Sequence, residues 1–369
     1  MNQSRIFENP KNTTLSRQHP DSKKKHSVIH NSLGFRQHRE FSKNKPENVI
    51  RIGFFGDSFA ENLAMESQFS FTEPLDYLLN KTGGKYEVMN FGTNGYGTDQ
   101  IYLQYLQEGV GLGLDFVFYI YCSNDLRNIN ENDLLKLDQH GNIQARQYSN
   151  NRFISLISKL CITYFVLDHS ERLRNSLKIY QEKEQNNQQK EQKKRFRNPR
   201  YVAIQMDFIN GVVTDDLNKT LKLFLAILSE MKKICNEHNT RFYVITLPKE
   251  KENSMCEFLV KNGFNAIGLY DKFKNIYPEE KNYRFINDGH WNEEGNKLAA
   301  AFLFRFLAKE LSIRYSGEEF IEQSLFEYYS SFEPGVVNSY LIKKHNDFPP
   351  ALNHYVVSRY LSLEKRDFN

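Results

Sequence analysis

The chain is expected to form an α/β protein, specifically a flavodoxin-like three-layer α/β/α sandwich with a mainly parallel sheet. Across its middle, short apolar runs of strand type alternate with segments of helical periodicity, which is the pattern of a parallel sheet with covering helices. The chain has 369 residues, of which 40% are hydrophobic, so it is long enough to bury a sizeable core. Both observations favour one large domain with appendages.

Five apolar runs are predicted to form the strands of this sheet, at residues 49–56, 86–92, 115–122, 241–247 and, with the weakest pattern, 264–270. A helix is predicted in "FTEPLDYLLNKTGG", which has proline near its start and Gly-Gly at its end. Another is predicted in "TDQIYLQYLQEG", with Thr98 as the N-cap. Longer helices are expected at 214–239 and 292–311.

Polar segments interrupt the α/β pattern and suggest how the chain is organised. Residues 1–48 are predicted to form a polar N-terminal extension, and residues 49–311 the α/β domain. Within that domain, an insertion at about 126–213 combines an apolar helix-like stretch with the polar run at 181–200, and it is expected to cap one edge of the sheet. Residues 312–369 form a C-terminal extension whose role the sequence does not reveal.

Charge and cysteine usage limit the classes of partner. The formal net charge of +4 is modest for this length, so no nucleic-acid partner is expected. The four cysteines lack the spacing of a metal site or a disulfide framework, and no metal or organic cofactor is predicted. No signal peptide or membrane span is recognisable, which predicts a cytoplasmic protein. The oligomeric state is left open.

Polar and glycine-rich blocks follow the first three predicted strands, and a fourth block precedes the last helix. They contain Gly56-Asp57-Ser58, then "NFGTNGYGT" at 90–98, then "CSNDLRN" at 122–128, and finally "NDGHWN" at 287–292. Residues just beyond the carboxyl ends of parallel strands meet at one edge of the sheet. Taken singly, each block is typical of an ordinary turn or helix cap; together they predict a single site.

The residue types in these blocks fit nucleophilic catalysis by a serine. Ser58 needs a base to remove its proton, and His290 can serve if the two atoms come within about 2.6 to 3.2 Å. Asp288 could hold the imidazole in the required tautomer. The backbone N–H groups of Ser58 and Gly95, with the carboxamide of Asn124, could stabilise an oxyanion.

The four blocks, in this order, resemble those of the SGNH hydrolases, also called the GDSL family. The resemblance spans roughly residues 31 to 311, and "NSLGFR" and "GYGTDQ" are also similar to bacterial members. It implies that Ser58 is the nucleophile and first oxyanion donor, with Gly95 the second donor and Asn124 the third. It also implies that His290 is the base and that Asp288 lies behind it.

Three positions depart from the family pattern. Phe59 stands where many members have leucine, an exchange between apolar residues. Cys122 stands where the third block usually has glycine. Many members place the acid three residues before the histidine, whereas here position 287 is Asn and Asp288 lies two before it; some polysaccharide O-acetylation relatives share this shorter spacing. Trp291, next to the base, could stack on a sugar ring or pack in the core.

The predicted function is that of a serine esterase acting on a carboxylic ester, with acetyl esters among the candidates, through an acyl-serine intermediate. The expected substrate is a small ester or an acylated carbohydrate. Two alternatives use the same residues or the same fold. One is an O-acetyltransferase that delivers the acyl group to a polysaccharide hydroxyl, and the other is a binding module without turnover.

Overall fold

A five-stranded parallel sheet forms the centre of the structure, a computed structural model that describes residues 9–146, 199–248 and 250–332. Within these described ranges, the strands in chain order are β1 (Thr13–Gln18), β2 (Lys25–His30), β3 (Ile50–Gly56), β4 (Tyr86–Asn90), β5 (Phe116–Tyr121), β6 (Leu135–Leu137), β7 (Ile143–Ala145), β8 (Arg241–Thr246) and β9 (Ala266–Gly268). The central sheet has the order β4-β3-β5-β8-β9, and all its neighbouring strands are parallel. The predicted parallel α/β sheet is confirmed.

Helices cover both faces of the sheet. In chain order those of the described residues are α1 (Ser58–Glu61), α2 (Thr72–Lys81), α3 (Thr98–Gln104), α4 (Asp125–Asn132), α5 (Pro199–Asn210), α6 (Asp215–Glu237), α7 (Glu250–Lys261), α8 (Tyr270–Ile276), α9 (Glu293–Glu310) and α10 (Glu318–Ser330). Short 3₁₀ turns occupy Ser67–Phe69, Val110–Leu112 and Glu280–Asn282, and a π turn occupies Tyr105–Gly109.

Neighbouring residues of each central strand point into different cores, which makes the structure three-layered. On β3, Phe54 belongs to the core under α2 and α9, where its ring stacks on Phe118 at 4.8 Å between centroids. Phe55 belongs to the core under α3 and α6, where it stacks on Phe91 at 4.1 Å. Because β3 is buried on both faces, its sequence is apolar at almost every position instead of alternating.

The predicted elements lie close to the observed ones, with small differences at their ends. The run at 264–270 contributes only the three residues of β9. Thr98 was expected to be an N-cap, but it is the first residue of α3 and Gly97 occupies the N-cap position. The Gly97 N–H donates to Gln100 Oε1 at 3.1 Å, so the side chain of the third helical residue is the hydrogen-bond acceptor for the backbone N–H of the N-cap residue.

The polar N-terminal segment contains structure that its composition does not indicate. Strands β1 and β2 pair as an antiparallel hairpin. After the hairpin, the Gln37 carboxamide donates to Val88 O at 2.7 Å and accepts from Asn90 N at 2.8 Å. These two backbone groups lie on the unpaired side of the edge strand β4, so Gln37 provides the hydrogen-bond partners that a neighbouring strand would otherwise supply. The domain limits at residues 48 and 311 stay a prediction.

Helices α5 and α10 belong to the predicted insertion and C-terminal extension. Helix α5 packs on α4 and α6, and α10 packs on α2, where the rings of Tyr77 and Tyr328 lie 5.2 Å apart. The apolar stretch of the insertion and residues 333–369 lie outside the described residues. Among the described helices, none combines the length and apolar character needed to cross a membrane.

Candidate active site

Ser58 is the first residue of α1 and lies two residues beyond Gly56, the last residue of β3. Asp57 is the N-cap of this helix, with its side chain accepting from Phe59 N at 3.0 Å. The turn between strand and helix is therefore closed by the side chain that precedes the serine, and the Ser58 side chain is left half-buried at the edge of the sheet.

His290 and Asp288 lie on a loop that runs from Tyr283 to Asn292, before α9. Two backbone hydrogen bonds close its base, from Asn292 N to Tyr283 O and from Phe285 N to His290 O, both at 3.1 Å. Asn292 is the N-cap of α9, and its side chain accepts from Gly295 N at 3.0 Å. The histidine is thus held between a closed loop base and a capped helix.

Ser58, His290 and Asp288 form one continuous hydrogen-bonded chain. His290 Nε2 lies 2.7 Å from Ser58 Oγ, while Nδ1 contacts Asp288 Oδ1. A carboxylate only accepts, so Nδ1 carries the proton of the neutral ring and Nε2 is free to accept from the serine hydroxyl. The hydrogen bond from His290 lowers the pKa of Asp288 and outweighs the opposing effect of partial burial.

The two candidate orienting residues, Asn287 and Asp288, point in different directions. Asp288 Oδ1 also accepts from the backbone N–H of His290 at 3.1 Å. The Asn287 side chain donates instead to Asp21 Oδ1 at 3.0 Å, away from the imidazole. In this structure, the acid two residues before the histidine faces the ring.

Asn124 follows β5 and lies beside the serine turn. Its Nδ2 donates to Asp57 Oδ2 at 2.9 Å. A carboxamide has two N–H donors, so this contact orients the group and leaves the second hydrogen for another acceptor. Asn124 stands at the N-cap position of α4 but makes no side-chain capping bond there, which separates it from an ordinary cap.

Gly95 lies on the exposed part of the loop after β4. Its φ of +80° is in the left-handed region that favours glycine, and nothing lies within 4 Å of the position that a Cβ would take. Within the described part of the chain its N–H has no acceptor. The loop is joined to α4 by contacts from Asn128 Nδ2 to Gly95 O and Tyr96 O, at 3.5 and 3.4 Å.

The loop after β4 is also tied to the serine helix. Asn94 N donates to Glu61 Oε2 at 2.6 Å, and Asn90 Nδ2 donates to Ala60 O at 2.8 Å. Gly92 must be glycine here because a Cβ would lie 2.1 Å from Glu61 N. The blocks after β3 and β4 therefore form a single packed unit.

Cys122 and Trp291, both singled out from the sequence, are core residues. Cys122 is buried, and its backbone N–H donates to Asp125 Oδ2 at 3.1 Å, so the block after β5 keeps an ordered turn. Trp291 is 1% exposed and packs against Phe59, Phe71 and Phe273. It is therefore part of the core and has no surface on which a sugar could stack.

Sequence reasoning did not identify Asn296, which links the serine helix to the histidine loop. Its Oδ1 accepts from Asn62 Nδ2 at 2.7 Å, just after α1, and from Phe71 N at 3.0 Å. Its Nδ2 donates to Asn292 O at 2.9 Å. No motif marks this residue; only its full burial as a polar side chain within an apolar helix distinguishes it.

The described residues contain no group of three or more His, Cys, Asp or Glu side chains that could hold a metal ion. Two clefts of about 230 and 490 Å³ lie at the opposite, amino-terminal end of the sheet, both lined by Asn239 and Thr240. None of the motif residues lines them. These two clefts therefore do not mark the site, which is defined here by its side-chain geometry.

Comparisons with known proteins give only distant structural likeness. No protein-family model matches the chain, and no curated protein matches it. An acetyl xylan esterase aligns with 13% identity and a TM-score of 0.39, covering 70% of this chain and 100% of that one. A lipase/acylhydrolase from Enterococcus faecalis aligns with 14% identity and a TM-score of 0.36, covering 72% and 100%.

A protein assigned to the G-D-S-L family of lipolytic proteins, from Desulfitobacterium hafniense DCB-2, aligns with 11% identity and a TM-score of 0.36, covering 69% of this chain and 98% of that one. The chain has a three-layer α/β/α fold and carries, at one end of its sheet, the four ordered motif blocks in which it resembles the SGNH hydrolases.

Proposed function

We propose that the chain is a serine esterase that hydrolyses carboxylic esters through an acyl-serine intermediate. The observation that carries the proposal is the distance of 2.7 Å between Ser58 Oγ and His290 Nε2, on an imidazole whose other nitrogen faces Asp288. A serine hydroxyl becomes a good nucleophile only when a base accepts its proton, and this arrangement supplies one.

The first half of the reaction transfers the acyl group to the enzyme. Ser58 Oγ attacks the ester carbonyl carbon while its proton passes to His290 Nε2, and Asp288 stabilises the imidazolium. The N–H groups of Ser58 and Gly95 and the second carboxamide hydrogen of Asn124 are the proposed donors to the oxyanion. The bond to the alcohol oxygen then breaks, and the alcohol leaves with the proton from Nε2.

The second half returns the enzyme to its starting state. Water gives a proton to His290 Nε2 and its oxygen attacks the acyl carbon; the Ser58 bond then breaks, Oγ recovers the proton, and the free acid leaves. The His290 and Asp288 side chains are 30% and 34% exposed, so water can reach the base, as hydrolysis requires.

A fluorophosphonate probe tests the proposal directly. Labelling of the folded protein at Ser58, together with hydrolysis of an aryl acetate, is the expected result, and both should vanish in Ser58→Ala. Ser123→Ala is the matched control because this serine follows the neighbouring strand β5 and its hydroxyl accepts from Gln205 Nε2 at 3.2 Å. Labelling that persists in Ser58→Ala would overturn the proposal.

A further inference from the structure

The turn between β1 and β2, residues 19–24, contacts the loop that carries Asp288 and His290. The Asp21 carboxylate accepts from the backbone N–H of Ile286 at 3.0 Å and from that of Asn287 at 2.9 Å. Asn287 Nδ2 is a third donor, at 3.0 Å. One carboxylate thus receives three hydrogen bonds from two consecutive residues just before Asp288.

His19 makes a second contact between this turn and the loop. Its Nδ1 accepts from the backbone N–H groups of Asp21 and Ser22, at 3.2 and 3.1 Å. An accepting Nδ1 places the ring proton on Nε2, which donates to Glu293 Oε1 at 3.0 Å. The ring also meets Phe285 edge-on, with 5.0 Å between the centroids. The turn therefore contacts the loop before His290 and the first residue of α9 after it.

The hairpin that carries this turn is anchored beside the serine helix. On β2, His26 Nε2 lies 3.0 Å from Leu63 O, and His30 Nε2 lies 3.2 Å from Glu61 Oε1. Glu61 is the last residue of α1, whose first residue is Ser58. The hairpin thus contacts both the element that carries Ser58 and the loop that carries His290.

The tip of this loop, residues 286–289, receives little apolar packing. Ile286 is 81% exposed, and Asn287 and Gly289 are also exposed. Phe285 and Trp291 on either side are buried, so it is the exposed tip of the loop, residues 286–289, that depends on hydrogen bonds for its conformation. The Asp21 carboxylate supplies them at the two residues that precede the acid.

We propose that Asp21 is a positioning residue that fixes the loop so that Asp288 and His290 stay aligned with Ser58. The inference rests on the proposed esterase function. Partial burial raises the pKa of Asp21, but the hydrogen bonds from Asn287 and Ile286 outweigh it, so the pKa is lowered and the group is the carboxylate at neutral pH. A carboxylate, unlike an amide, can accept all three hydrogen bonds without presenting a donor.

Asp138 provides a matched control because it is also a carboxylate that accepts two backbone and one side-chain amide hydrogen bonds, but within a turn of its own. In the turn between β6 and β7, its Oδ1 accepts from the backbone N–H groups of His140 and Asn142 at 2.8 and 2.9 Å, and its Oδ2 accepts from Asn142 Nδ2 at 3.2 Å. Asp21→Asn and Asp138→Asn therefore replace two carboxylates of the same kind, only one of which supports the candidate site.

The experiment measures kcat and KM for an aryl acetate, together with the downfield proton resonance of His290 Nδ1–H. In Asp21→Asn and Asp21→Ala, kcat should fall by about 10- to 100-fold because a small misplacement of the reacting groups is that costly. KM should change by less than about twofold, since the hydrogen bonds lost do not touch substrate. The resonance should shift or broaden, and Asp138→Asn should leave both readouts unchanged.

Unchanged kcat and an unchanged resonance in folded Asp21→Asn would overturn the inference, as would an equal loss of kcat in Asp138→Asn. If Asp21→Ala does not fold, Asp21→Asn decides because it keeps the size of the side chain. Should the wild-type protein hydrolyse no ester, the resonance alone decides. A signal altered in Asp21→Asn but kept in Asp138→Asn would then support the positioning role while the proposed function fails.

Discussion

Asn124 Nδ2 lies 2.9 Å from Asp57 Oδ2, so a side-chain hydrogen bond joins the ends of β5 and β3 next to Ser58. The other oxygen of Asp57 accepts from Phe59 N and is committed to the helix cap. Asp57 therefore performs two tasks at once: it caps α1 and orients a carboxamide beside the serine. Removing the carboxamide and disturbing its orientation are separate tests of the proposed oxyanion site.

Asn124→Ala should lower kcat by roughly 10²- to 10³-fold with little change in KM, because it removes a donor that acts mainly on the transition state. Steady-state kinetics on an aryl acetate measure both constants. Asn130→Ala is the control: this residue lies on the same helix, but its Nδ2 donates to Leu126 O and Thr220 Oγ1 instead. An unchanged kcat in Asn124→Ala would contradict the role of Asn124 as an oxyanion donor and leave it only a structural position at the start of α4.

Asp57→Asn should lower kcat by about 10-fold or more while the thermal midpoint moves little. Asparagine caps a helix about as well as aspartate, so α1 keeps its N-cap. Its amide nitrogen would then face Asn124 Nδ2, and two donors cannot bond each other, so the carboxamide should turn away. Kinetics and thermal unfolding of the same samples separate the two effects, and a fall in the midpoint without a fall in kcat would contradict the orienting role.

The sheet could be predicted from the sequence because its strands are buried on both faces and appear as continuous apolar runs, as in β3 and β5. The meeting of the motif blocks could be predicted as well, since parallel strands end at the same edge. Both inferences need only local pattern and a topological rule.

The supporting contacts could not be predicted because they join residues far apart in the chain through single polar side chains. Asp21 and Ile286 are separated by 265 positions, and Asn62 and Asn296 by 234. The β1–β2 hairpin lies in a polar segment where the exposed strand β1 has no apolar alternation to reveal it. Composition indicated an extension, whereas tertiary hydrogen bonds and the burial of Phe35 and Phe41 hold this segment against the α/β domain.

Asp288→Asn should lower kcat by orders of magnitude, up to about 10⁴-fold, because an amide at this position favours the wrong imidazole tautomer while preserving shape. Asn287→Ala should have a much smaller effect. It removes only the side-chain donor to Asp21, and the backbone N–H of residue 287 still donates. Comparing kcat for the two variants tests the assignment of Asp288 as the acid. A larger loss in Asn287→Ala than in Asp288→Asn would show that Ser58 and His290 act as a dyad without Asp288.

Asp99 should make the stability of the fold depend on pH between about 4 and 7. This residue is fully buried, and burial raises its pKa from 3.8 to about 7. The hydrogen bonds from Asn132 Nδ2 and from the backbone N–H of Gln100 lower the pKa, but burial outweighs them. The folded state therefore keeps a proton that the unfolded chain has lost. By linkage, the stabilising contribution is complete below the unfolded pKa and is lost as pH rises through the folded pKa.

Urea unfolding at about pH 5 and about pH 8 measures the contribution of Asp99. The free energy of unfolding should be lower at the higher pH. In Asp99→Asn the difference between the two pH values should shrink by up to a few kcal/mol, whatever the variant does to stability at a single pH. Burial also raises the pKa of Glu73 to about 7, so part of the pH dependence of the free energy of unfolding should remain in Asp99→Asn. Asp138→Asn should leave the pH dependence intact. The pKa of Asp138 is lowered by hydrogen bonds led by that from Asn142, so this carboxyl is ionised in both states at both pH values. Equal slopes in wild type and Asp99→Asn would mean that Asp99 ionises in the folded state as readily as in the unfolded chain.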